Sequence, residues 1–207
     1  MVDKILLNSE PLTIKESNLP CLITYGEGMG GSHLSVTIVA NLFLQGSKLL
    51  FLTAYPMAKD NFLQQVGNNG PSIAFVNTIE ELEKAIKAQA IILESGNESL
   101  FLEVTKLLPD LNQRIILVKN MEVFSKPVID YCLDKDKVVL SGNIDNCESK
   151  EVVAKKKYET IIAFNQPTIK LPITIPVPTL EKYKGYFSGS GSSGIISVQK
   201  TQSAVQE

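Results

Sequence analysis

Apolar runs of four to seven residues recur between helix-length segments from Pro20 onward, and this alternation constrains the fold more than any other feature of the chain. CLITY (Cys21 to Tyr25), KLLFLTA (Lys48 to Ala54), SIAFV (Ser72 to Val76), AIILE (Ala90 to Glu94), IILV (Ile115 to Val118) and KVVLSG (Lys137 to Gly142) read as six strands. Strands apolar on both faces must be covered on both faces, so intervening helices predict a parallel sheet between two helical layers. The fold class is α/β.

The helices between them have their own signals. HLSVTIVANLFLQG is stopped by Gly46, and MAKDNFLQQVG by Gly67. Thr78 with Glu81 makes a capping box that opens a helix ending near Ala88. Further helices are expected over roughly Glu98 to Leu108 and Phe124 to Leu133, and another strand over Tyr158 to Phe164.

At 207 residues the chain fits one domain, expected over 1–200. Within it, 166–180 alternates Ile169, Leu171, Ile173, Ile175 and Val177 with Lys170, Pro172, Thr174, Pro176 and Pro178. Period-2 alternation predicts an extended segment, and its prolines confine it to an edge strand or an arm on a neighbour. Residues 183–199 read as a C-terminal hairpin around SGSGSS, and 200–207 as a disordered tail.

No apolar run approaches the roughly 18 to 20 residues of a membrane span, and no export signal is read at the N-terminus. The expectation is a cytoplasmic protein without membrane insertion. Cys21, Cys132 and Cys147 stand at no metal-ligand spacing. Arg114 is the single arginine, which argues against sequence-specific nucleic-acid binding, where arginine carries most base contacts.

YGEGMGGSH, Tyr25 to His33, follows the first of the six strands, at the sheet edge where α/β proteins bind ligands. Gly26 and Gly31 keep the G-x-x-x-x-G spacing of a phosphate loop, but Ser32 stands where its lysine belongs and His33 where its hydroxyl belongs. Two readings are open: the backbone amides of Gly28, Gly30, Gly31 and Ser32 form a nest for phosphate, or the loop is only a tight turn. His33 reads either as a phosphate donor or as a polar first-turn residue.

Strand, glycine loop, long helix ending FLQGSKLLFLT, and then AYPMAKDNFLQQV together resemble the RecA/KaiC-type P-loop ATPases. AIILES resembles that family's Walker B strand, and GIISVQK its terminal strand. The resemblance implies a three-layer RecA-like domain, ATP as cofactor, and an oligomer with like or other P-loop subunits. It implies Glu94 as the Walker B carboxylate, with Glu98 either its metal-binding partner or a first-turn residue favoured by the helix dipole. Ala54-Tyr55 occupies the place of the catalytic glutamate, and Lys155-Lys156-Lys157 reads as a basic segment acting on a neighbour or as a solvated turn.

Phosphoryl transfer rests on positioning and charge neutralisation, so these departures predict a degenerate, non-catalytic regulatory or assembly subunit. Two alternatives are a weak ATPase completed by a partner, and a component of secretion- or conjugation-type machinery.

Overall fold

The computed structural model describes residues 3–67, 72–93, 98–173, 180–181, 183–189 and 191–200. It opens with a hairpin, β1 (Lys4–Leu7) and β2 (Glu10–Pro11), turned by Asn8 and Ser9 at φ of 49° and 72°. Two consecutive left-handed residues are what a two-residue hairpin loop needs. This hairpin was not among the strands expected from sequence, because its runs are short and only one residue of β1 is buried.

The alternating series follows: β3 (Cys21–Thr24), α1 (Gly31–Leu44), β4 (Lys48–Thr53), α2 (Pro56–Val66), β5 (Ile73–Val76), α3 (Ile79–Ala85), β6 (Ala90–Leu93) and α4 (Glu98–Leu107). It continues with β7 (Arg114–Lys119), α5 (Lys126–Leu133), β8 (Val138–Gly142), α6 (Lys150–Lys155), β9 (Thr160–Ala163), β10 (Lys184–Gly189) and β11 (Ser192–Gln199). The helix α6 is an addition to the sequence reading.

The strands form one sheet in the order β2-β1-β11-β10-β9-β3-β8-β7-β4-β6-β5. From β9 to β5 the pairs are parallel, and from β9 to β2 they are antiparallel. Side chains alternate between two cores. Leu22, Leu50, Ile91, Ile116 and Leu140 face α3 to α6, while Cys21, Ile23, Phe51, Ile92 and Leu117 face α1 and α2. This three-layer α/β arrangement is the one that apolar strands require.

Two boundaries differ from expectation for identifiable reasons. Glu81 accepts from Thr78 N while Thr78 Oγ1 accepts from Glu81 N, completing the capping box of α3. That helix stops at Ala85 rather than Ala88, and Arg114 Nη2 donates to the Ile86 carbonyl at 3.0 Å. The helix expected from Phe124 begins at Lys126, because Ser125 is held extended at its N-cap by Glu98 Oε1, which accepts from Ser125 N at 3.0 Å.

Residues 168–173 carry no strand. Asp145 accepts from Thr168 N, Thr168 Oγ1 and Ile169 N, and Ile169, Leu171 and Ile173 pack on the core beneath α3 to α6. That half of the expected arm is therefore covered by its own domain, and 174–179 lies outside the described residues. Gln199, at the border of the expected tail, pairs with Lys4 at the end of β11.

Candidate functional site

Register fixes what stands beside the glycine loop. Thr24, the last residue of β3, pairs with Gly142 of β8 and with Ala163 of β9, and Lys119 of β7 pairs with Ser141. The carboxyl ends of β3, β8 and β7 therefore bring Tyr25, Asn143, Lys119 and Asn120 to one edge. A cleft of about 650 Å³ opens there, lined by the loop and by Tyr55, Asn61, Asn120, Glu122, Asn143, Asn146 and Tyr183.

The loop turns on Gly28 and Gly30, at φ of 70° and 93°, which glycine adopts without steric cost. Gly30 caps α1, its carbonyl accepting from His33 N and Leu34 N, each at 3.1 Å. Gly31 is glycine for a different reason: a β-carbon there would lie 2.2 Å from Cδ1 of Tyr25. The Tyr25 ring is thus packed under the first turn of α1, and Tyr183 lies over Gly30, its N–H donating to the Met29 carbonyl at 3.2 Å.

Behind Tyr25 lies the buried ammonium of Lys119, which donates to the Tyr25 hydroxyl and, at 2.9 Å, to Asn120 Oδ1. Burial pulls its pKa down to about 8, partly opposed by nearby Glu122. Burial likewise pushes the Tyr25 phenol up, so burial acts against the charged form of each partner. Glu122 accepts from Asn143 N at 3.0 Å, which fixes its carboxylate at the cleft.

The residues singled out by sequence divide. Gly26, Gly28, Gly30, Ser32 and His33 all line the cleft, with Gly31 beneath them. His33 Nε2 bonds Asp3 Oδ2 at 2.8 Å, so its ring is already engaged by the N-terminal segment. A second cleft of about 750 Å³, lined also by Asp3, Gln65 and Phe164, shares Gly30, His33, Asn61 and Tyr183 with the first.

Glu94 lies outside the described residues. The strand before it, β6, ends at Leu93 and is separated from β3 by β4, β7 and β8. Four strand spacings amount to about 19 Å. Glu98 is committed elsewhere, to Ser125. Lys155 to Lys157 precede β9 at the amino edge of the sheet, opposite the loop, and Lys156 Nζ donates to the carbonyls of Leu133 and Lys135.

Lys119, Asn120, Glu122 and Asn143 were missed by sequence reading. The signal that the sequence offers for the first three is IILVKNMEV, a strand followed at once by polar residues.

No family model matches the chain, and no curated protein matches it. Solved structures do. The genome packaging NTPase B204 of Sulfolobus turreted icosahedral virus 2, in complex with AMPPCP, aligns with a TM-score of 0.54 at 12% identity, over 88% of this chain and 97% of that one. EccC (ATPases 2 and 3) of Thermomonospora curvata, in complex with a signal sequence peptide, aligns with a TM-score of 0.62 at 11% identity over 98% of this chain. EssC (ATPases 2 and 3) of Geobacillus thermodenitrificans gives 0.54 at 14% identity over 97%. The chain spans 41% of each of those two proteins. At such identities the likeness is one of fold, and the fold is that of the P-loop NTPases.

Proposed function

We propose that this is a RecA/KaiC-like P-loop domain with degenerate nucleotide motifs, acting as a non-catalytic regulatory or assembly subunit in an oligomer with like or other P-loop chains. One observation carries the reading: the sign of charge at the loop. Among the described residues that line the cleft there is no lysine or arginine, whereas Glu27 and Glu122 both line it. The N-terminus of α1 offers about half a positive charge, far less than two carboxylates oppose. A triphosphate placed there meets repulsion where a working site needs neutralisation.

Loss of the loop lysine is not made good by Lys119, which is buried behind Tyr25 and is not among the residues that line the cleft. At the place expected for the catalytic glutamate, Tyr55 lines the cleft and brings no carboxylate. ATP is accordingly held weakly and is not turned over. The protein is expected to work in the cytoplasm, and among its described residues no helix is long and apolar enough to cross a membrane.

A component of secretion- or packaging-type machinery is the second reading, favoured by the likeness to EccC, EssC and B204. It is compatible with the first. The deciding experiment is steady-state ATP hydrolysis by the purified chain, alone and with Ser32→Lys plus His33→Thr. No turnover by the natural chain is expected, with gain of nucleotide binding in the double variant. Magnesium-dependent turnover by the natural chain would refute the non-catalytic reading.

A further inference from the structure

The lining of the glycine-loop cleft describes a ligand as well as excluding one. Glu27 is exposed at its mouth, and Glu122 is set on its wall by the Asn143 amide. Asn146 adds a side-chain amide to the lining, while the Oδ1 atoms of Asn120 and Asn143 already accept from Lys119 Nζ and Asp145 N. Two phenol rings complete it, Tyr55 at 50% exposure and Tyr183 at 59%. Carboxylates, amide oxygens and aromatic faces have one preference in common, which is for a cation.

The surroundings say what carries that cation. Beside the lining residues in the chain stand Met57, 72% exposed, and Val123, 43% exposed. With Tyr55 and Tyr183 they account for four of the eight large hydrophobic residues exposed among the described positions. Exposed apolar side chains in the lining and on residues next to it in the chain favour a protein contact over a small ion.

We propose that the glycine-loop cleft is a socket for a lysine or arginine side chain borne on an apolar segment of a protein partner. The cationic head enters between Tyr55 and Tyr183 toward Glu122 and Glu27, while the flanking apolar residues cover Met57 and Val123. The charge that a nucleotide site would carry in its own loop is supplied here from outside. The inference rests on the non-catalytic assembly reading given above.

The test is a titration of the 15N-labelled chain, followed by amide shifts, with the tripeptide Ac-Leu-Arg-Leu-NH2 and the neutral control Ac-Leu-Gln-Leu-NH2. Saturable shifts at Gly26 to Ser32 and at Tyr183 are expected for the arginine peptide, with affinity reduced about tenfold or more for the control. The same reduction is expected for Glu27→Gln with Glu122→Gln, in which glutamine keeps an acceptor for Asn143 N. Glu27→Gln alone, at an exposed position, gives a weaker form of the same effect if the double variant does not fold.

Equal binding of the two peptides, undiminished binding to the charge-removed variants, or no saturable shift up to about 10 mM peptide would overturn the socket. ATP turnover by a chain that also binds the arginine peptide would overturn the non-catalytic reading and leave the socket standing. Failure of both peptide binding and turnover would do the reverse.

Discussion

The strand β7 carries a buried cation at each end, and the two ends are built on opposite terms. At its amino end Arg114 donates to both carboxylate oxygens of Asp110 and to the carbonyls of Leu49, Gln89 and Ile86, so a planar donor fork meets acceptors on several sides. At its carboxyl end Lys119 has a phenol hydroxyl and an amide oxygen, and among the described residues no carboxylate is bonded to it. The first cation ties β7 to β4 and to the turn between α3 and β6; the second stands behind the wall of the cleft. Full satisfaction marks the end that holds the sheet together, and partial satisfaction the end beside the loop cleft.

The largest effect that separates the two ends is expected from Arg114→Met. It leaves three carbonyls without this donor and Asp110 with only the partly exposed Lys48, and should cost about 3 to 5 kcal/mol in urea unfolding. Lys119→Met should change stability by no more than about 1 kcal/mol at pH 7, since a buried ammonium without a carboxylate partner gains little from its site. Equal losses from the two substitutions would break the comparison.

Next in size is Gly31→Ala, whose β-carbon collides with the Tyr25 ring on which Lys119 rests. Overpacking there should cost about 1 to 3 kcal/mol, measured the same way. A variant of unchanged stability would mean that the ring is not fixed beneath α1.

The ends should also part in their pH dependence. Lys119 has its folded pKa lowered to about 8 from 10.5 by burial, so the unfolded chain binds more protons between these values. Relative to Lys119→Met, the natural chain should therefore gain stability from pH 8 to 10.5, by up to about 1.4 kcal/mol per unit. For Asp110 burial acts upward, but its bonds to Arg114 and Lys48 outweigh it and lower the pKa. Its contribution is present above the ordinary carboxylate range and is lost as pH falls through it. Unfolding curves taken across both ranges test each sign.

The smallest effect belongs to Lys48→Met. Lys48 bonds Asp110 at 2.7 Å but is partly exposed, and Arg114 still satisfies that carboxylate, so a loss of about 0.5 kcal/mol is expected.

Sequence made the fold legible where hydrophobic period and caps agree. The run Lys48 to Ala54 reappears as β4, and Thr78 with Glu81 opens α3 as their spacing requires. It failed where strands are short or exposed, as in β1 and β2, whose hairpin is made by backbone at Asn8 and Ser9 rather than by apolar pattern. For the site, the loop itself was legible and its surroundings were not. Neighbours across a parallel sheet depend on strand order, which the chain sequence does not encode locally. So Lys119, at the end of β7 two places from β3, and Asn120 and Glu122 just beyond it carry no local sign that they stand beside the loop.

The central claim, that the loop cleft is set against a triphosphate, meets its most direct test in calorimetric titration of the natural chain with magnesium ATP. No saturable heat is predicted at protein concentrations near 100 µM, corresponding to a Kd of about 1 mM or weaker. A saturable isotherm with a micromolar Kd would contradict it.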